Sequence, residues 1–292
     1  SAVTGGSGSD ITFTVEKNAD GSGKVSVKSG GKEITTEKSV IRVSFKADDK
    51  LMKSLADKAG ADNSNLVAAI VKADKTTEII RNSFVNKDGT VTADIAPGAT
   101  VTLIADGRSF SDVAASAWYA KAVGFAVSHE LFNGVSDTEF APSKSMTRGM
   151  FVTVLNRLAD AEDFAGKTEF SDVAADKWYT NGTAWAVSNK IVSGYGNGRF
   201  GPDDAVTREQ MAVIMYNFTK AMGYDIKGSA ALTKFSDSTS VHSWAAEAMQ
   251  WAVGTGVMSG NADGTLDPRG TATRAQVATI MSNYVQVLLG VK

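Results

Sequence analysis

The chain has no cysteine in its 292 residues, only four prolines and only two histidines. Without thiols there is no disulfide framework, no thiolate metal site, no iron–sulfur cluster and no cysteine nucleophile. His129 and His242 leave little room for imidazole catalysis or a histidine-rich metal centre. A net charge of −2 leaves no basic surplus for non-specific nucleic-acid binding. No apolar run approaches the roughly 20 residues of a membrane span. The opening SAVTGGSGSD reads as a trimmed or tagged edge rather than a leader peptide. Absent cysteine fits both the cytosol and export, so the redox compartment stays open.

Catalytic signatures are missing as well. There is no phosphate loop, no G-x-S-x-G and no H-E-x-x-H. Asn261–Asp267 hints at a calcium loop but lacks the acid at its twelfth position, and it aligns with a turn of the repeats described below. No specific carboxylate pair stands out. The expectation is a protein that is not an enzyme, with no cofactor and no metal.

What is present divides near residue 107. Residues 1–9 are rich in Gly and Ser and read as a linker or tag. Residues 10–106 form a β-rich, β-sandwich-like module. Ile11–Val15 and Lys24–Lys28 alternate apolar and polar residues around the turn Asn18–Gly23, the pattern of a hairpin. Val40–Phe45, Leu66–Val71, Ser83–Val85, Thr90–Ile95 and Val101–Ile104 read as further strands, with Asn86–Gly89 as a second hairpin turn. One helix fits, from Asp49 or Lys50 to Ala59, capped by Asp48 or Asp49, with Leu51 and Leu55 on one face. This region holds 14 basic and 14 acidic residues, so it is neutral, and it shows no site chemistry.

From Arg108 the apolar spacing turns helical and the sequence repeats. Phe-Ser-Asp recurs at Phe110–Asp112, Phe170–Asp172 and Phe235–Asp237. Each is followed by a tryptophan (Trp118, Trp178, Trp244), a glycine (Gly134, Gly194, Gly260), a proline (Pro142, Pro202, Pro268) and a Thr-Arg pair (Thr147-Arg148, Thr207-Arg208, Thr273-Arg274). Three of the four prolines thus fall on one repeat position, which chance does not produce. Each repeat reads as helix, loop, helix. The first helix starts around the Trp, with Trp178, Gly182 and Trp185 on one face. The second follows the Thr N-cap, as Met150–Ala159, Gln210–Ala221 and Gln276–Leu288. Thr207-x-x-Gln210 and Thr273-x-x-Gln276 are capping boxes, and Thr147-x-x-Met150 is not. One such unit cannot bury both its faces, whereas three packed around an axis can. The fold class expected is α+β and multidomain: the β-rich module, then an all-α three-repeat bundle with repeats at 107–166, 167–229 and 230–292.

These motifs resemble the surface-layer homology (SLH) family. Phe110–Val113, Trp118, Gly134, Phe140, Pro142, Thr147 and Arg148 match its pattern in repeat one. Phe170–Val173, Trp178, Gly194, Phe200, Pro202, Thr207 and Arg208 match in repeat two. Repeat three matches with Ser238 and Leu266 in place of Val and Phe. The resemblance covers roughly residues 108–292. It implies a pseudo-threefold spindle and non-covalent anchoring of an exported protein to the Gram-positive cell wall. It also implies an anionic secondary cell-wall polysaccharide as partner, bearing pyruvate ketals on N-acetylmannosamine and bound in grooves between repeats. The key arginines would be Arg148, Arg208 and Arg274. The location implied is extracellular, at the cell wall or surface layer. The alternative is a surface-layer lattice subunit whose repeats self-assemble.

The residues themselves fit an anion. Arginine in the first turn of a helix opposes the macrodipole, yet it stands there three times. A helix start offers free N–H donors, and a guanidinium offers a fork for a carboxylate. A Trp face can pack on a sugar, and a glycine lets the backbone come close. Each residue also has a plainer reading. Asp112, Asp172 and Asp237 cap or close turns, or touch ligand. Trp118, Trp178 and Trp244 are core or groove wall, whereas Trp185 and Trp251 and the phenylalanines opening each repeat are core. The glycines serve turns or close approach, and the arginines bind ligand or pair between repeats. The family's acid after T-R-x is Met150, Gln210 and Gln276 here, and Met150 sets the Arg148 site furthest from the pattern. His129 is expected partly exposed at a helix end, and His242 solvated in a loop.

Overall fold

The computed structural model describes residues 3–4, 11–29, 31–34, 40–60 and 63–292. Most of 1–9, read above as a linker, lies outside them. Two compact units emerge: Ser1–Phe110 with Ala114–Asn133 and Leu289–Lys292, and Ser111–Val113 with Gly134–Leu288.

In the first unit the strands are β1 (Val3–Thr4), β2 (Ile11–Lys17), β3 (Gly23–Ser29), β4 (Lys32–Glu33), β5 (Ile41–Lys46), β6 (Leu66–Val71), β7 (Thr77–Ile79), β8 (Ser83–Val85), β9 (Thr90–Ile95) and β10 (Thr100–Ala105). One sheet runs β1-β2-β3-β10-β6-β7 with β4 beside β3, and a second runs β5-β9-β8. Both expected hairpins form, with Val15 opposite Val25 and Val85 opposite Val91. Asp20 accepts from the Ser22 N–H (3.0 Å) and Asp88 from the Thr90 N–H (2.9 Å), side-chain turns that hold each reversal. A shared core draws Val25, Leu66, Ala68, Val101 and Leu103 from the first sheet and Val43, Val85, Val91, Ala93 and Ile95 from the second. β1, β4 and β7 went unread because they are two or three residues long and too short to show a period, and β1, within the stretch read as a linker, pairs with β2.

Helix α1 (Asp49–Leu55) carries the expected cap, Asp48 accepting from Lys50 and Leu51 N–H. It ends four residues before Ala59. Beyond Leu55 the bonds Ala56→Lys53 and Lys58→Leu55 are of the i→i+3 kind, which tighten the chain into turns.

The helix opening repeat one, α2 (Ala120–Ser128), groups with these strands. Phe125 meets Phe84 at 6.1 Å between ring centroids. A Cβ at Gly124 would lie 2.0 Å from Asn65 Oδ1, so a larger residue there would have to displace the Asn65 side chain. His129 overturns its expected exposure: it is fully buried, stacked on Phe125 at 3.8 Å. Its Nδ1 lies 2.8 Å from the Phe125 carbonyl oxygen and its Nε2 3.0 Å from that of Ser83. Burial drives its pKa down to about 4. Read as a helix end alone, it lacked the strand that covers it.

The second unit holds α3 (Arg148–Leu158), α4 (Thr180–Ser188), α5 (Arg208–Ala221), α6 (Ala246–Gly254) and α7 (Arg274–Leu289). Helix α4 packs on α3, and α6 on α5. The capping boxes of α5 and α7 form, with Gln210 and Gln276 Oε1 accepting from the Thr207 and Thr273 N–H. Thr147 caps α3 singly, through the Met150 N–H. Trp185 and Trp251 are core, as expected. The first helices start two residues after their tryptophans, at Ala120, Thr180 and Ala246. Trp178 therefore leaves the helical face it was placed on, and its side chain is exposed.

Candidate functional site

Each repeat's aspartate holds its own proline loop. Asp112 accepts from the N–H groups of Phe140 (2.9 Å) and Ala141 (2.7 Å). Asp172 does the same for Phe200 and Gly201 (both 2.8 Å), and Asp237 for Leu266 (2.8 Å) and Asp267 (2.7 Å). The carbonyls of the same loop residues face the other way, toward an arginine of another repeat. Arg148 Nε donates to Phe200 O at 2.9 Å, Arg208 Nε to Leu266 O at 2.7 Å and Arg274 Nε to Phe140 O at 2.8 Å. A second donor, Nη2, reaches Ser193 O from Arg148 (3.1 Å) and Ser259 O from Arg208 (2.6 Å). Repeat one thus reaches into repeat two, two into three, and three back into one.

The arginines are 5–7% exposed, and burial lowers the pKa of each, although a guanidinium stays charged. The bonds above run to carbonyl dipoles, not to carboxylates, so they orient the cation without neutralising it. Rings flank it: Arg148 lies 4.8 Å from the Tyr195 centroid and 4.7 Å from that of Phe200, and Arg274 lies 4.6 Å from that of Phe140.

The helix starts do not offer the free N–H donors that were expected. The N–H groups of Arg148 and Gly149 donate to Asp204 O and Pro202 O, those of Arg208 and Glu209 to Gly270 O and Pro268 O, and those of Arg274 and Ala275 to Lys144 O and Pro142 O. The third donor of each helix goes to its threonine cap. Loop carbonyls of another repeat thus occupy the positive ends of the dipoles. They also offset the unfavourable place of the arginine.

Around Arg148 lies an open cavity of about 320 Å³ that includes Gly194, Tyr195, Gln210, Asn217 and Trp244 in its lining. All three repeats supply it: the arginine comes from the first, the loop and α5 from the second, the tryptophan from the third. The residue after T-R-x that stands in this cavity is Gln210, not Met150. The departure at Met150 therefore does not bear on Arg148. Burial raises the pKa of the Tyr195 phenol, which keeps it a neutral hydrogen-bonding group.

Trp118, Trp178 and Trp244 are 67%, 59% and 55% exposed, which excludes the core reading. Trp118 and Trp178 pack edge-on to Tyr119 and Tyr179, and Trp244 stacks on His242. Gly194 and Gly260 answer to a ring rather than to a turn: a Cβ would lie 2.4 Å from Phe170 Cε1 and 2.3 Å from Phe235 Cε1. Gly134 lies on the corresponding loop of repeat one, half-buried. Sequence reasoning missed Tyr195 as a residue at this site. The signal for Tyr195 was an aromatic directly after the repeat glycine, where the other repeats carry Val135 and Asn261.

Residues 109–149, 169–212 and 234–278 each match the model of the S-layer homology domain. The chain is 29% identical to an amylopullulanase of Thermoanaerobacterium thermosulfurigenes over 68% of its own length and 10% of that protein. It is 30% identical to exoglucanase XynX of Acetivibrio thermocellus over 61% of its length and 16% of that protein. With the surface-layer 125 kDa protein of Lysinibacillus sphaericus it shares 29% identity over 67% of its length and 16% of that protein. The chain thus spans between a tenth and a sixth of these relatives. Between residues 109 and 278 it carries three tandem S-layer homology domains.

Proposed function

We propose that this chain anchors a surface protein non-covalently to the bacterial cell wall by binding an anionic, pyruvylated secondary polysaccharide. The repeats, at 107–166, 167–229 and 230–292, form a pseudo-threefold bundle after the β-rich module of 10–106. One observation carries the reading: a buried guanidinium, Arg148, braced on one side by carbonyls and opening on the other into a cavity walled by an exposed tryptophan. A guanidinium has five N–H donors, and carbonyls take two of those on Arg148. A ketal carboxylate fits the rest, and Trp244 offers a face for the sugar's C–H surface. The same register puts Gln276 beside Arg208 and Met150 beside Arg274, so the groove of Arg274 departs furthest from the family pattern. The role is non-catalytic. Relatives whose names denote glycan hydrolysis share only a minor part of their length with this chain, which fits an anchor appended to different proteins.

A second reading, lattice self-assembly, has support in the S-layer proteins of Bacillus thuringiensis and Bacillus anthracis among the relatives. Sedimentation with purified cell walls separates the two. Binding to walls that retain their secondary polymer, absent from stripped walls and lost in the Arg148→Ala, Arg208→Ala, Arg274→Ala triple variant, is the expected result. Folding of the variant is checked by circular dichroism. Equal sedimentation with stripped walls, or concentration-dependent assembly without walls, turns the conclusion to the lattice.

A further inference from the structure

Asn-Gly occurs three times in the chain, at Asn133-Gly134, Asn181-Gly182 and Asn197-Gly198. The surroundings of the three differ. Asn197 and Gly198 are both exposed, at the tip of the proline loop of repeat two. Gly198 has φ +77°, and a Cβ built on it would meet nothing. Its N–H donates to no group among the described residues. The Arg199 N–H donates to Asn197 Oδ1 at 3.2 Å, which folds the carboxamide back over the Gly198 peptide and polarises its carbonyl. Asn181 lies instead in the first turn of α4, and Gly182 is buried. A helical side chain leans toward the helix N-terminus, away from the nitrogen that follows it. Asn133 has contacts of its own, and Gly134 is half-buried.

We propose that Asn197-Gly198 is a modification site, a turn that deamidates spontaneously and thereby loosens the loop held by Arg148. The Gly198 nitrogen gives its proton to solvent base and attacks Asn197 Cγ. The new C–N bond closes a five-membered succinimide, the Cγ–Nδ2 bond breaks, and the amide leaves as ammonia with a proton from water. Water then opens the ring. Cleavage of the bond from Cγ to nitrogen leaves aspartate, and cleavage at the main-chain carbonyl leaves isoaspartate, whose main chain is one methylene longer. No electrons are exchanged and water is the only co-reactant. Gly198 permits the attack because it has no Cβ to block its nitrogen. The aspartate product fits the loop: repeats one and three carry Asp137 and Asp263 at this position, and Asp263 accepts from the Thr265 N–H at 3.0 Å. The isoaspartate product does not fit. The Tyr195 N–H donates to Arg199 O at 2.9 Å and the Ser171 N–H to Gly198 O at 3.0 Å. Phe200 O, two residues beyond Gly198, accepts from Arg148 Nε. An added methylene shifts these partners out of register.

The test incubates the folded full chain at pH 8 and maps its peptides by mass spectrometry, with isoaspartate counted by enzymatic methylation. Conversion should concentrate at Asn197 and run at least about tenfold faster than at Asn181, the ratio a local opening of about 1.4 kcal/mol supplies. Gly198→Ala and Asn197→Gln should abolish it. The isolated isoaspartyl form should melt about 2–4 °C below the fresh chain, whereas Asn197→Asp should melt with it. Faster conversion at Asn133 or Asn181, or an unchanged Asn197, overturns the site. An isoaspartyl form that melts with the fresh chain overturns the loosening of the loop and leaves the site standing.

Discussion

A histidine sealed against carbonyl oxygens ties stability to pH. His129 has no exposed surface, and its folded pKa of about 4 stands below the ordinary 6.5. Between those values the unfolded chain takes up a proton that the folded chain refuses. The folded state is therefore fully favoured above pH 6.5 and loses this advantage as pH falls toward 4, by at most about 3 kcal/mol. Denaturant midpoints measured at pH 7, 5.5 and 4 should fall along that series in the wild type. They should fall less in His129→Gln, which keeps a hydrogen-bonding side chain but cannot titrate. Equal slopes would show that the histidine is not the group responsible. The burial of His129 was not legible, because it depends on Ser83, which is 46 residues away and on a strand. The core tryptophans Trp185 and Trp251 were legible, since helical spacing places them on the packed face.

Among elements, the proline loop shows how one glycine serves another residue's geometry. At Gly194 an added Cβ would meet Arg199 O at 2.5 Å as well as the Phe170 ring, whereas at Gly196 it would meet nothing. Gly196 has φ +82°, so its substitution costs only backbone strain. We expect Gly194→Ala to destabilise by about 1–3 kcal/mol and to loosen the loop that orients Arg148, and Gly196→Ala to cost about 1–2 kcal/mol with the Arg148 contacts intact. Thermal melts give the ranking, and affinity for the pyruvylated glycoside should fall only in the first. Strands Leu66–Val71, Ser83–Val85 and Thr90–Ile95 were read to the residue because alternation and turn chemistry are local signals. The threonine caps were equally plain. The partners of the helix-start N–H groups were not, because they are backbone carbonyls about 55 to 130 residues away in sequence, and a carbonyl has no letter in the sequence.

For the whole molecule, the bonds from arginine to carbonyl run from each repeat to another and back to the first, so the three arginines of one chain are each held through Nε by a loop of another repeat. If one polymer carries many ketals, simultaneous engagement multiplies weak contacts, with gains of about 10²–10⁴ over a single site. The expected signature lies in dissociation. From a surface coated with the polymer, the wild type should leave slowly, Arg148→Gln faster, and the double and triple arginine variants faster at each step. A soluble monovalent glycoside should bind the wild type about 10²-fold more weakly than the polymer does. Glutamine removes the charge while retaining a side-chain N–H donor toward the loop carbonyls, so the series reports ligand contact more than packing. Met150 beside Arg274 makes a further distinction: Arg274→Gln should accelerate release least of the three. Identical release from all single variants would mean the grooves are equivalent, and a wild type that leaves the polymer as fast as it leaves the glycoside would mean that a single groove binds.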